Sequence, residues 1–354
     1  RATRHKYPPI AALTGLRFFA AFFILLAHSS DWLGQFSDSS KGQSLGFLAS
    51  YGMPLFFVLS GFVIHYNYRS LFEGLGILRS SCEFLAARAA RLFPLYFFLL
   101  AFAFFADDFF EIGFSKNSSY TEIISHYVTL TQSWWYVIVD KKVIINTLFP
   151  LSWSISTEWF FYIAYIPLVY VVTSIKGWKN SAIATFIFCA LVFSGLVFLH
   201  INTDIFLNKT KFLIDGFISH NEDFGNSFFR WFFYFSPYAR IFEFLTGVLT
   251  AQLVIALMDR PVGVREARLG AILLASALAA LVLQVAVAYD LVPVVGLSPL
   301  FKFMALNFLC APAIALLLFC LSRYDLWLGR FLSLPALMLL GEMSYSLYLV
   351  HTWT

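Results

Sequence analysis

The chain has 354 residues, of which 60% are hydrophobic and only 12% are charged. An ordinary soluble domain has roughly a quarter charged residues, so this composition excludes a soluble globular protein and indicates a polytopic membrane protein. The formal net charge of +4 at pH 7 is typical of basic cytoplasmic loops and gives no reason to expect a nucleic-acid partner.

Apolar runs long enough to cross a bilayer core of about 30 Å recur along the chain. We expect an all-α bundle of about ten transmembrane helices that forms a single integral-membrane domain over residues 1–354. The predicted spans are residues 10–29, 46–66, 89–106, 124–139, 148–174, 180–200, 236–257, 267–289, 299–321 and 336–354. The run over 124–139 is short and polar, and a re-entrant segment there would leave nine spans.

Basic residues indicate which ends of the helices face the cytoplasm. The second connection is basic, the first and third carry acidic residues, and the N-terminal segment contains Arg1, Arg4 and Lys6. This bias predicts that the N-terminus and residues 67–90 lie in the cytoplasm. The basic loops at 258–268 and 322–330 would lie outside after ten crossings and inside if 124–139 did not cross, so both topologies stay open.

The first apolar run carries two ionisable residues, Arg17 and His28, eleven positions apart. Eleven residues turn a helix almost a whole number of times, so both side chains share one face, separated by roughly 16 Å along the axis. Ionisable residues inside a membrane helix mark functional sites by default. Imidazole is the usual general base for a hydroxyl, which makes His28 the candidate base, with a structural hydrogen bond at the helix end as the alternative.

Arg88 and Arg91 form an R-x-x-R pair one helical turn apart, just before the third apolar run. Two guanidinium groups at a membrane mouth suit a phosphate-bearing ligand. The alternative is contact with lipid headgroups under the positive-inside rule.

Glu158 is a carboxylate within the fifth predicted span. Helical spacing places Ser154, Glu158, Tyr162 and Tyr165 along one stripe, so the acid is expected to face polar groups rather than lipid. It could orient His28 or hold a sugar hydroxyl. The structural alternative is a hydrogen bond between helices, or a partner for Arg17.

Two further segments combine small and polar residues at membrane depth. Residues 52–62 include Ser60 among glycines and a proline, a composition that favours close helix packing. Residues 341–351 bring Tyr345, Tyr348 and His351 into the last span, where they are candidate cavity-lining groups. The four cysteines have no CxxC spacing, so we expect neither disulfides nor a metal site.

Several motifs are absent from the sequence: a P-loop, a GxSxG elbow, an HExxH pair and a GxGxxG phosphate cradle. The remaining classes are a membrane enzyme that uses acid–base chemistry and a secondary transporter. In the transporter alternative, Arg17 and Glu158 would couple the movement of a glycan or a small acid.

Taken in order, the segments resemble the acyltransferase-3 family of integral-membrane O-acyltransferases. Six segments carry the resemblance: residues 13–28, 52–61, 88–96, 151–162, 240–247 and 341–351. The resemblance implies transfer of an acetyl or similar short acyl group from cytoplasmic acyl-CoA to a hydroxyl of a glycan, exopolysaccharide or lipid-linked sugar. It also implies a multi-pass protein of the bacterial inner membrane that requires no metal.

The resemblance also assigns roles. His28 matches the family's general base, Glu158 its membrane-helix carboxylate, and the R-x-x-R pair part of the donor site. In the layout that we expect, Arg88 and Arg91 bind the phosphates of acyl-CoA, and its pantetheine arm passes Arg17 to place the thioester near His28. Two departures are Thr14, where Asp or Asn is usual, and Trp159, where a second acid is frequent. A histidine-dependent lipid acyltransferase of another membrane family, with a lipid hydroxyl as acceptor, is a third interpretation.

Overall fold

The computed structural model describes residues 7–34, 48–74, 76–110, 119–286, 303 and 307–351. The N-terminal basic residues Arg1, Arg4 and Lys6, on which part of the predicted orientation rests, lie outside these ranges. So does most of the stretch 299–306 at the start of the ninth predicted span.

The described chain is mainly helical. Its helices are α1 (Ala11–Gly34), α2 (Ala49–Tyr68), α3 (Leu71–Gly74), α4 (Ile77–Phe110), α5 (Ser119–Val128), α6 (Trp153–Thr173), α7 (Trp178–Ile201), α8 (Thr203–Lys211), α9 (Phe228–Arg230), α10 (Pro237–Leu257), α11 (Val264–Ala286), α12 (Cys310–Arg323), α13 (Trp327–Leu332), α14 (Pro335–Glu342) and α15 (Ser344–Val350). Two short antiparallel strands, β1 (Ile138–Val139) and β2 (Lys142–Val143), form a hairpin.

Within the described ranges, six helical stretches are long and apolar enough to cross a membrane. They are Ala11–Ser29, Ile77–Phe105, Pro150–Thr173, Trp178–Leu199, Phe228–Leu257 and Val264–Ala286. Cys310–Arg323 is a shorter apolar helix. The predicted class, an all-α polytopic membrane bundle, is confirmed.

The run over 124–139 does not form a continuous helix. Helix α5 ends at Val128, Leu130 has a positive φ of 56°, and the chain then turns into the β1–β2 hairpin. Polar groups of this turn bond to α6 instead of continuing a helix: the Ser133 hydroxyl donates to Ser156 Oγ over 2.9 Å. This geometry agrees with the alternative in which the segment is not a spanning helix.

Helix α4 is longer than the predicted span 89–106. Its 34 residues extend about 51 Å at ~1.5 Å per residue, which exceeds a hydrocarbon core of about 30 Å. The helix therefore reaches beyond the core at one end or both. Because Arg88 and Arg91 lie in its first half, they belong to this continuous helix and not to a loop before it.

The last predicted span is divided at Met343, between α14 and α15. The Met343 amide still donates to the Leu339 carbonyl over 3.1 Å, and the Leu347 amide donates to the Met343 carbonyl over 3.0 Å. The break is therefore local, and α15 continues close to the path of α14.

The chain divides into two compact units. The first comprises Arg1–Glu73, Val169–His200 and Phe242–Thr354, and the second comprises Gly74–Leu168 and Ile201–Ile241. The predicted single domain over 1–354 stays a prediction. His28 belongs to the first unit, whereas Arg88 and Glu158 belong to the second.

Glycines bring the helices of the first unit together. A Cβ on Gly341 of α14 would lie 1.9 Å from the Thr14 carbonyl oxygen of α1, and one on Gly15 would lie 2.0 Å from the Leu332 carbonyl oxygen. Real Cβ atoms do not approach a carbonyl this closely, so only glycine fits. Small residues of this kind let membrane helices pack backbone to backbone.

The packing predicted for residues 52–62 has the same cause. A Cβ on Gly61 of α2 would lie 1.9 Å from the Phe244 carbonyl oxygen of α10, and one on Gly247 would lie 1.9 Å from the Val58 carbonyl oxygen. The two helices therefore cross through reciprocal glycine contacts. Ser60 is half-buried on the same helix.

Candidate active site

His28 and His351 meet at the end of α1. His28 Nδ1 lies 2.8 Å from His351 Nε2, and the two rings are nearly parallel, with an interplanar angle of 14° and 5.0 Å between centroids. His28 is exposed and His351 is half-buried. A histidine far along the sequence therefore contacts the candidate base directly.

The C-terminal helix holds His351 in place. His351 Nδ1 lies 2.7 Å from the Tyr348 carbonyl oxygen. Tyr348 is buried, and its ring packs edge-on against Phe56 of α2 with 5.9 Å between centroids. The predicted cavity residues Tyr348 and His351 thus lie beside α1 and α2, and Tyr345, on the same short helix, is half-buried.

Arg17 lies on α1 with His28, as the eleven-residue spacing predicts, and its side chain is half-buried. The helix is continuous between the two residues. One face of α1 therefore carries a cation and an imidazole at separate depths.

Glu158, Tyr162 and Arg88 form a second cluster, in the second unit. The Tyr162 hydroxyl donates to Glu158 Oε1 over 2.5 Å, one helical turn along α6. The Arg88 guanidinium carbon lies 5.9 Å from the centroid of the Tyr162 ring, a cation–π geometry. The predicted stripe on α6 is confirmed for this pair of residues, and Arg88 lies against the same tyrosine.

The two arginines of the R-x-x-R pair have different surroundings. Arg88 is 9% exposed, whereas Arg91 is exposed. A shift of three residues turns a helix through about 300°, so the second guanidinium emerges at the edge of the face that buries the first. Arg91 is thus the more accessible of the two for an anionic ligand.

Trp159 stands where a second acid is frequent in the family that the sequence resembles. Its ring packs on Phe93 of α4 with 5.0 Å between centroids, and edge-on against Tyr162 at 6.3 Å. The side chain that follows Glu158 therefore fixes the contact between α4 and α6. Ser154 is also buried, and its hydroxyl donates to the Leu151 carbonyl over 3.2 Å.

In the second unit, the segment around Asn226 packs on the β1–β2 hairpin and the residues that flank it. The Tyr136 hydroxyl donates to the Asn226 carbonyl oxygen over 2.9 Å, and the Asn146 amide donates to Asn226 Oδ1 over 3.0 Å. Burial raises the pKa of Tyr136 to about 12. Hydrogen bonds from the side chain and the backbone amide of Asn226 lower the pKa of the Asp223 carboxyl. These residues order the long polar connection after α7.

The acyltransferase-3 family model, described as an acyltransferase domain, matches residues 10–354. The chain belongs to this family. Acyltransferase MdmB of Streptomyces mycarofaciens is 27% identical over 356 residues, which cover 97% of this chain and 78% of that protein. Protein 2 in picA locus of Rhizobium radiobacter is 41% identical over 90 residues, which cover 25% of this chain and 41% of that protein. No solved structure matches the chain.

Membership of the acyltransferase-3 family makes the protein a multi-pass membrane O-acyltransferase. Among the residues that the structure describes, no group of three or more His, Cys, Asp or Glu side chains is arranged to hold a metal ion. In the described chain, the histidine pair and the Glu158 cluster are among the polar groups available to an acyl-transfer mechanism.

Sequence reasoning missed a buried polar network of this acyltransferase. Gln132 is fully buried, and its amide donates to Ser152 Oγ over 3.1 Å and to the Tyr96 hydroxyl over 3.3 Å. The Thr157 hydroxyl donates to the Phe235 carbonyl oxygen over 2.9 Å. The signal was the alternation of Ser152, Ser154 and Ser156 within an apolar run. This network joins the turn after α5 to the start of α6.

Proposed function

We propose that the protein transfers an acetyl or similarly short acyl group from cytoplasmic acyl-CoA to a hydroxyl of a glycan, an exopolysaccharide or a lipid-linked sugar. His28 acts as the general base. The observation that carries the proposal is the histidine pair at the end of α1, where His28 Nδ1 lies 2.8 Å from His351 Nε2. Family membership supports the acyl-transfer class.

The chemistry needs few groups, because a thioester is already an activated acyl donor. His28 removes the proton from the acceptor hydroxyl while the hydroxyl oxygen attacks the thioester carbonyl carbon. The tetrahedral intermediate collapses with cleavage of the carbon–sulfur bond. His28 then returns the proton to the departing CoA thiolate, so the products are an ester and free CoA. Direct transfer of this kind requires no metal and no covalent acyl-enzyme.

We assign the donor phosphates to Arg88 and Arg91. Guanidinium groups bind phosphates through paired, charge-assisted hydrogen bonds. The exposure of Arg91 supports phosphate binding at the R-x-x-R pair. Arg17, which is half-buried on α1, is proposed separately as a contact of the pantetheine arm. Lipid headgroups compete for the same arginines. Binding of acyl-CoA and of lipid headgroups can be compared in Arg88→Ala/Arg91→Ala.

We assign Glu158 to the acceptor. A carboxylate that accepts a hydrogen bond from the Tyr162 hydroxyl has further lone pairs with which to hold a sugar hydroxyl. Ser60, Ser154 and Tyr345 are proposed as pocket-lining residues. We further propose that the protein lies in the bacterial inner membrane with its N-terminus in the cytoplasm.

The test is acyl transfer by purified protein in detergent, supplied with acetyl-CoA and candidate glycans. We expect release of the CoA thiol and formation of an acceptor ester, both of which are lost in His28→Gln. The secondary-transporter alternative is tested by reconstitution in liposomes. Glycan movement across the liposome membrane without thiol release would overturn the enzyme mechanism, because transport consumes no thioester.

A further inference from the structure

His351 takes part in a chain of two hydrogen bonds that ends at the candidate base. Its Nδ1 lies 2.7 Å from the Tyr348 carbonyl oxygen, and its Nε2 lies 2.8 Å from His28 Nδ1. The two contacts use opposite nitrogens of one ring. Whether one nitrogen donates or accepts its hydrogen bond therefore determines whether the next nitrogen donates or accepts.

The direction of the chain follows from the carbonyl. A carbonyl oxygen only accepts hydrogen bonds, so His351 Nδ1 must carry the hydrogen. A neutral imidazole has one N–H, so His351 Nε2 is an acceptor. His28 Nδ1 then donates to it, and the lone pair of neutral His28 lies on Nε2.

We propose that His351 is a positioning residue that holds His28 in the Nδ1–H tautomer, so that Nε2 is the nitrogen that takes the proton. The tautomer of a histidine is set by the hydrogen bond that its other nitrogen makes. The assignment rests on the proposed role of His28 as base. It adds a second histidine that touches no substrate and acts through the first.

The helix packing keeps the acceptor nitrogen in place. Helices α1 and α14–α15 run side by side in the same direction: Gly341 contacts Thr14 near one end, and His351 contacts His28 near the other. Tyr348, whose carbonyl orients His351, is buried against Phe56. The ring of His351 is thus held by the carbonyl of a tyrosine on its own helix, and that tyrosine is packed on α2.

The same contact serves the charged state. When His28 Nε2 takes the hydroxyl proton, His28 becomes an imidazolium and its Nδ1–H still donates to the lone pair of His351 Nε2. A neutral acceptor stabilises this cation through a charge-assisted hydrogen bond, the stronger kind. Transfer of the Nε2 proton to the CoA thiolate restores the neutral pair, so no net proton is gained or lost.

The direct test is ¹⁵N NMR of histidine-labelled protein in lipid nanodiscs, at a pH where His28 is neutral. The chain has seven histidines, and the His28 signals are assigned by their loss in His28→Gln. We expect a protonated Nδ1 and an unprotonated Nε2 on His28. In His351→Ala we expect His28 to shift towards the Nε2–H form.

An Nε2–H tautomer of His28 in the wild type would overturn the inference. So would an Nδ1–H tautomer that persists unchanged in His351→Ala. Neither result depends on acyl transfer, so the spectrum tests the positioning role separately from the proposed function.

Kinetics give a second readout. We expect His351→Ala to lower kcat about tenfold, less than the 10²–10⁴-fold that the positioned base itself contributes, with an unchanged KM for acetyl-CoA. His351→Gln should recover most of this loss, because its amide oxygen accepts from His28 and its amide nitrogen donates to Tyr348. Equal losses in both variants, with a lowered melting temperature, would indicate a purely structural role instead.

The combined outcomes separate the two claims. If His28→Gln abolishes acyl transfer and His351→Ala leaves kcat at the wild-type value, the positioning role is wrong and the base assignment stands. If the tautomer shift occurs and His28→Gln remains fully active, the base assignment is wrong.

Discussion

The histidine pair and the Glu158 cluster are both polar groups in apolar helices, but they are built differently. His28 and His351, 323 positions apart in sequence, join two imidazole rings through a contact between His28 Nδ1 and His351 Nε2. Glu158 instead bonds to a tyrosine one turn along its own helix, under a guanidinium. In the proposed mechanism the two groups have separate roles, with proton transfer at the histidines and acceptor binding at the second cluster.

The arginines of the second unit provide the largest expected effect on substrate binding. Each charge-assisted contact to phosphate contributes about 1.5–3 kcal/mol, so Arg88→Ala/Arg91→Ala should weaken acetyl-CoA binding by at least roughly 100-fold. Isothermal titration calorimetry in detergent measures the affinity. Titration of a short-chain anionic phospholipid into the same detergent sample measures headgroup binding separately.

Arg79→Ala is the matched control for Arg91→Ala. Arg79 lies on the same helix, with a side chain that is 73% exposed and pairs with Glu83. An exposed ion pair of this kind contributes little to folding stability, and Arg79 is not assigned to the donor site. The donor affinity of Arg79→Ala should therefore be unchanged. Wild-type affinity in the double variant, or an equal loss in Arg79→Ala, would contradict the donor assignment.

The histidine pair should depend on close helix packing in a way that the Glu158 cluster does not. Gly341→Ala forces a Cβ against the Thr14 carbonyl oxygen, and we expect about 1–3 kcal/mol of destabilisation. Turnover should also fall, because α14 continues into α15 and so determines the position of His351. Thermal unfolding in detergent and the acyl-transfer assay measure the two effects.

Gly195→Ala provides the comparison, since a Cβ on Gly195 meets no atom within 4 Å. This variant should be as stable as the wild type or slightly more so, because alanine favours the helix by up to about 1 kcal/mol. Equal melting temperatures for Gly341→Ala and the wild type would show that the close contact is not required.

The charge of Glu158 can be separated from its hydrogen bond. Glu158→Gln keeps an oxygen that accepts from Tyr162 but removes the charge, whereas Tyr162→Phe removes the bond and keeps the charge. We expect kcat to fall about tenfold in Glu158→Gln, equivalent to ~1.4 kcal/mol, and less in Tyr162→Phe. The reverse order would favour a structural hydrogen bond over a role in turnover.

The smallest effect is expected at Asp223, outside the spanning helices. Hydrogen bonds from Asn226 lower its pKa below the ordinary value of 3.8. A carboxyl whose folded pKa is depressed stabilises the folded state above its unfolded pKa, and this contribution disappears as the pH falls through the folded pKa. The melting temperature of the wild type should therefore fall slightly more between pH 5 and pH 3 than that of Asp223→Asn. An identical fall in both would show that the carboxylate contributes nothing.

Hydropathy predicted most of the spanning helices because membrane helices must satisfy their backbone hydrogen bonds internally. The run over 124–139 was ambiguous for a physical reason. Its polar residues bond to a segment some twenty positions later, as Ser133 does to Ser156, and such long-range partners leave no trace in local periodicity.

Only part of the candidate site could be predicted from the sequence. Helical spacing was enough to align Arg17 with His28, and Glu158 with Tyr162. The contact between His28 and His351 depends on two parallel helices from opposite ends of the chain, which no local pattern encodes. Likewise, the pattern R-x-x-R predicted a pair, but it did not reveal that Arg88 is buried against Tyr162 while Arg91 is exposed.

The central claim is that His28 carries out the proton transfer, whereas Arg88 and Arg91 bind the phosphates of the donor. It is tested most directly by the kcat and acetyl-CoA KM of His28→Gln, measured beside Arg91→Ala in one assay. The account predicts that His28→Gln lowers kcat by about 10²–10⁴-fold at an unchanged KM, whereas Arg91→Ala chiefly raises KM. Wild-type kcat in His28→Gln would contradict it.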